Sequence, residues 1–175
     1  TTGVQNTLIG GLAGDALTDA DFNVAIGHGA LGGDALGSRC VAIGLSALLN
    51  QSSSTATNAD NVGVGFVALG QVTSGVNNTS LGALSGDRIT TGSNNICIGY
   101  EADVSANSNS NSITIGANIT AAANDFSFGK AGNVVTNDFD ADANWSRSSD
   151  ERLKKNITNQ TLGLDFINDL RTVKY

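Results

Sequence analysis

The stretch 23–44, NVAIGHGALGGDALGSRCVAIG, holds the pentad NVAIG and, 17 residues later, its near copy CVAIG. The pattern runs outward in both directions as NTLIG, NVGVG, NTSLG, NICIG and SITIG, placing pentad glycines at Gly10, Gly27, Gly44, Gly65, Gly82, Gly99 and Gly116. Successive spacings are 17, 17, 21, 17, 17 and 17, and the four extra residues fall in the Ser-, Thr- and Asn-rich run 51–61, which reads as a loop. A weaker copy, FSFG, ends at Gly129 after a gap of 13. A unit this short cannot bury an apolar face by itself, so the register predicts stacked coils: an all-β fold built as a parallel β-solenoid, or β-roll. Stacking at the inter-strand spacing of about 4.8 Å makes eight such coils a rod roughly 35 to 40 Å long.

Side chains alternate across a strand, so residues one and three before each glycine share a face. The first column is Ile9, Ile26, Ile43, Val64, Leu81, Ile98 and Ile115, and the second is Thr7, Val24, Val41, Val62, Thr79, Ile96 and Ile113. These β-branched columns are expected to line the inside of the coil. The opposite face carries Leu8, Ala25, Ala42, Gly63, Ser80, Cys97 and Thr114, mostly small. Small residues permit close approach, so this face is expected to pack against identical coils around an axis, as a homotrimer. Four residues before the glycine stand Asn6, Asn23, Asn61, Asn78 and Asn95, with Cys40 interrupting once, a column suited to side-chain ladders. The turn upstream repeats as TTGVQN at 1–6, TSGVNN at 73–78 and TTGSNN at 90–95, so the chain is expected to begin inside an array.

Composition agrees with thin repetitive β structure. The 175 residues include 22 glycines, no proline, no methionine and 5% aromatics, yet 40% are apolar, too many for a disordered chain. There is no apolar run of about 18 residues, so no membrane insertion is expected. The net charge of -7 is uneven: through Gly129 nine acidic residues face only Arg39 and Arg88, whereas 130–175 holds seven of each sign. The acidic part through Gly129 has no basic stripe for a phosphate backbone, which argues against nucleic acid as a partner. Cys40 and Cys97 lie far apart and occupy repeat positions, which accounts for them better than a disulfide or metal.

Two motifs touch on cofactors. GHGALG, 27–32, formally matches a dinucleotide fingerprint, but that fingerprint needs a following helix and an acidic residue about 20 positions on. The segment is instead one coil of the array, and no cofactor is expected. DFDADAN, 138–144, begins like a calcium loop but has Ala143 where the glycine belongs and Ser149 where the closing Glu belongs, so it reads as a solvated turn and no metal is expected.

The composition shifts at SSDERLKKNI, 148–157, where half of the residues are charged. A solvated linker before a second domain is the plain reading. Beyond it, LGLDFINDLRTVKY could set Leu164, Ile167 and Leu170 on one helical face. Ser149 and Lys154 also pair a hydroxyl with an amine whose proton affinity Arg152 and Lys155 would lower, the requirement for a serine nucleophile activated by lysine.

The pentads, followed by Ala30 or Ala47 three residues on, resemble the heads of YadA-like trimeric autotransporter adhesins and the similar repeats of bacteriophage tail fibres. The resemblance covers roughly 1–116 and implies a trimeric left-handed β-roll. The 17-residue period exceeds the adhesin head's usual unit and favours a fibre variant. SDERLKKNI with LDFINDLRTVKY resembles the start of the intramolecular chaperone domain of endosialidase-type phage tail spikes and tail fibres, a family of self-cleaving peptidases. That resemblance implies cleavage of the Ser149–Asp150 bond, with Ser149 as nucleophile and Lys154 as its partner, and Asp150, Arg152 and Leu153 completing the motif.

Together these readings divide the chain into solenoid repeats over 1–129, a linker or neck over 130–148, and a short α+β start of a chaperone over 149–175. They imply a virion tail-fibre segment that supports host-cell attachment and is matured by single-turnover autoproteolysis. Its expected partners are a host surface receptor, glycan or protein, and other tail proteins. The alternative is a bacterial cell-surface adhesin of the trimeric autotransporter type.

Overall fold

The computed structural model describes residues 2–141, and these form strands and turns without a helix. Eight strands stack in parallel: β1 (Thr7–Ile9), β2 (Val24–Ile26), β4 (Val41–Ile43), β6 (Val62–Val64), β7 (Thr79–Leu81), β8 (Ile96–Ile98), β10 (Ile113–Ala117) and β12 (Asp125–Lys130). Each pentad pairs with the next in unbroken register, Ile9 opposite Ile26, Ile26 opposite Ile43, Ile43 opposite Val64 and so on to Phe128. The chain is therefore a β-solenoid with coils of about 17 residues. The longer coil keeps register as well, Val41 still facing Val62 across the inserted loop.

Two shorter parallel pairs, β3 (Gly37–Ser38) with β5 (Thr57–Asn58) and β9 (Ala102–Val104) with β11 (Ile119–Ala121), stack elsewhere on the coils. At the far end β13 (Asn133–Asp138) folds back antiparallel on β12. It lies within the stretch assigned above to a neck and ends the parallel stack.

Left-handed backbone closes each coil. The pentad glycines have φ from 123° to 148°, and residues five before and two after them sit near +60°, including Phe22, Arg39, Asn77, Val67 and Leu84. This conformation turns the N–H along the stacking axis: Asn77 donates to the Ala59 carbonyl at 2.8 Å, Val67 to Leu45 at 2.9 Å and Leu84 to Phe66 at 2.8 Å. Each such residue costs about 1–2 kcal/mol when it is not glycine, and the inter-coil hydrogen bond it makes offsets that cost.

The faces are reversed from the sequence expectation. Ala25, Ala42, Cys97, Ser80 and Thr114 are fully buried inside the coil, whereas Ile9, Leu81, Ile96 and Ile115 are among the exposed large apolar residues. The reason is width. A 17-residue turn encloses a strip so narrow that the strand can contribute only small side chains, because the opposite wall supplies the large ones. That wall carries Leu31, Leu48 and Leu69 four residues after the glycine, and Leu17, Val72 and Ile89 seven after. Glycine at the first position is followed by a large residue at the second. Where the first is Gly14 or Gly86, a Cβ would meet Leu17 Cδ1 or Leu69 Cδ2, each at 2.8 Å, and the second position is Leu17 or Ile89.

The asparagine column runs up the inside. Asn78 Nδ2 donates to the Gly92 carbonyl at 3.0 Å, and its Oδ1 accepts from Asn95 N at 3.1 Å. Asn23 does the same with Gly37 and Cys40 N. At Cys40 the ladder breaks where the next coil is four residues longer, and Gln51 fills the gap. Its Oε1 accepts from Asn61 Nδ2 at 2.8 Å and its Nε2 reaches Cys40 Sγ at 3.2 Å and the buried Asp34 carboxylate. Asp34 also accepts from Gly37 N at 3.1 Å and Ser53 N at 3.0 Å, tying the inserted loop to the coil below.

Candidate functional site

The solenoid's most extensive candidate site is the outer face of the long sheet. Because alternation sends the small column inward, the β-branched columns one and three before each glycine point out together. The residue one after the glycine extends the same face, adding Leu45, Phe66 and Tyr100, each about half exposed. The two columns before the glycine, apolar except at Thr7 and Thr79, run over eight coils as a strip roughly 7 Å wide and 35 Å long, widened at these three residues. An exposed apolar patch of that extent is of the kind that serves as an association surface. A polar column borders it: Asn77, Asn94, Asn111 and Asn124 form a second, exposed amide ladder with links of 3.1, 3.2 and 2.9 Å, closed by Asn124 Nδ2 donating to Asp140 at 2.7 Å.

The side of the coil around the GHGALG segment is grooved. Gly29, Gly32 and Gly33 belong to one coil and leave an indentation of about 420 Å³, walled by Leu12 and Asp15 of the preceding coil and by Ser46, Leu49 and Asn50 of the following one. His28 stands exposed at its rim. Strand β2 ends at Ile26 and is followed by turns, so the strand–loop–helix setting of a dinucleotide site is missing from this segment.

The acidic run 138–144 is only partly described, and its first carboxylates are already engaged. Asp138 accepts from Asp140 N at 2.9 Å, while Asp140 closes the exposed ladder. Among the described residues no group of His, Cys, Asp and Glu could hold a metal. Both thiols are free and buried. Burial pushes Cys40 up and Cys97 up to about 12, so both stay protonated and unreactive at neutral pH.

One feature the sequence reading missed is a carboxyl pair. Asp103 in β9 is 4% exposed and lies in hydrogen-bond contact with Asp87 of the coil below. Aligning the coils by their glycines would have flagged Asp103, since the position four after the glycine is Gly or Leu in the five coils before it. The same alignment would have shown that Phe66 and Tyr100 share a column one after the glycine. Ser149, Asp150, Arg152, Leu153 and Lys154 lie outside the described residues, as does the α+β segment.

Comparison with family models, curated proteins and solved structures finds no match. Among the described residues no helix is long and apolar enough to cross a membrane.

Proposed function

We propose that the chain is a segment of a trimeric bacteriophage tail fibre, a shaft that supports attachment of the virion to its host. The chaperone beginning near Ser149 drives assembly and is released by cleavage of the Ser149–Asp150 bond. The observation that carries this reading is the continuous apolar strip, which a single solenoid leaves in water and which three copies around an axis would cover. The small-residue face is not available for that contact, since each coil fills its own interior with it. Other tail proteins and a host receptor, glycan or protein, are the further partners this role requires.

A trimeric surface adhesin shares the solenoid and the apolar strip. The motif SDERLKKNI favours the fibre reading, because it resembles the start of a fibre chaperone and not a membrane-anchoring segment. The test combines light scattering with mass spectrometry on the full-length protein. The expected result is a trimer cut after Ser149, with Ser149→Ala and Lys154→Ala each trimeric and uncut. A monomer would overturn the fibre reading as a whole, whereas an intact wild-type trimer would remove only the self-cleavage.

A further inference from the structure

The Asp87–Asp103 contact bridges consecutive coils. The Asp103 carboxylate accepts from Val104 N at 2.8 Å through Oδ1 and from Arg88 N at 3.0 Å through Oδ2, so it is oriented by backbone from both coils. An ionised carboxylate can only accept hydrogen bonds, so two carboxyl groups in contact require a proton between them. No cation relieves that need: Arg88 donates through Nη1 to the Val104 carbonyl at 3.4 Å, and no salt bridge among the described residues reaches either carboxyl.

Arg88 is the one cation among the residues lining the opening that holds the pair, and its Nη1 is turned to the Val104 carbonyl. Glu101 stands beside the pair in the same opening, β8 contributes the protonated Cys97 thiol, β10 contributes Thr114, whose hydroxyl donates to the Asp103 carbonyl at 2.8 Å, and β11 contributes Thr120. A solvent-connected indentation of about 280 Å³ adjoins the pair and gives protons access.

We propose that Asp87 and Asp103 share one proton and act as a pH-sensitive latch between two coils, tight in mild acid and loosened above neutrality. Burial, reinforced by the Asp87 contact and opposed by the two amides, pushes Asp103 up to about 7. In the unfolded chain Asp103 titrates at about 4. Between these values the folded form holds a proton that the unfolded form has released, so the latch contributes fully below about pH 4 and its contribution falls as pH rises to about 7.

Hydrogen exchange at the amides of Arg88 and Val104, corrected for intrinsic rates, tests this in the full chain. Protection is expected to fall on the order of tenfold between pH 5.5 and 8.5 in the wild type, while the Cys40 and Asn78 amides hold steady. Asp103→Asn cannot titrate but turns its NH2 toward one of the two backbone amides that the carboxylate accepts from, so one amide loses protection at every pH and the protection that remains should be the same at both pH values. Asp87→Asn, at the more exposed partner, removes the neighbouring carboxyl but not the burial of Asp103, so it should shrink the response without abolishing it. Equal wild-type protection at the two pH values, or an undiminished fall in both variants, would overturn the latch.

Discussion

At the residue scale, what decides the structure is the position of a side chain within the 17-residue frame. Gly82 has φ of +136° and a Cβ there would sit 2.5 Å from the Gly99 carbonyl oxygen, so glycine is required both by conformation and by the approach of the next coil. Asparagine appears in two ladders whose worth differs because their surroundings differ. Inside the coil, Asn78→Ala would leave the Gly92 carbonyl and the Asn95 amide buried without partners, at a cost of roughly 2–4 kcal/mol. On the outer ladder, Asn94→Gly keeps the backbone freedom that φ of 61° requires and hands its bonds to water, so the loss should stay below about 1 kcal/mol. Chemical denaturation of the two variants checks this, and equal losses would mean that the buried ladder does not hold the coils. The ladder itself was readable from the repeated Asn. Its repair by Gln51 was not, because the bond between Asn61 and Gln51 depends on how the inserted loop folds back.

At the element scale, the strands illustrate what a period can and cannot tell. Alternation showed which residues share a face, so the β-branched and small columns were correctly separated. It did not show which face looks inward, because a strand of period two is symmetric with respect to its two sides. The usual bias, large apolar residues inside, fails here because Leu31, Leu48 and Leu69 already occupy the interior from the other wall. The reversal changes what substitutions should do. Ala42→Trp would force a large ring into a filled coil and should abolish soluble folded protein, since overpacking by even a few methylenes costs about 1–3 kcal/mol. Ile98→Lys places its charge on the outer strip, where the solenoid tolerates it but the association does not. Its expected outcome is a monomer with unchanged β circular dichroism, the loss being about 1.5–3 kcal/mol per buried isoleucine. If Ile98→Lys unfolded the chain while Ala42→Trp remained a folded trimer, the assignment of the faces would be wrong.

At the scale of the whole solenoid, cohesion is a sum over neighbouring coils, and the spacing of the glycines states the rule for editing it. The coils advance by 17 residues, with one of 21 and one of 13, and all of them preserve the facing register of the strands. The longer coil places its excess in a loop beside Asp34, and the shorter one closes through β11 directly into β12. Removing residues 79–95 joins Asn78 to Ile96 and deletes one complete coil. Val62 would then face Ile96, Gly63 would face Cys97, and Asn78 would remain in the inner ladder. Such a protein should fold with a modest drop in melting temperature, one inter-coil contact having been lost. Removing 79–96 takes one residue more and leaves a coil of 16. Asn78 then falls on the outer apolar strip, and the left-handed residues at either end of the turn can no longer both direct their N–H groups along the axis. Thermal unfolding followed by circular dichroism should show a much lower melting temperature for the second deletion than for the first. Equal melting temperatures would mean that coil length is not set by the hydrogen-bonded frame, and the solenoid's register would need another cause.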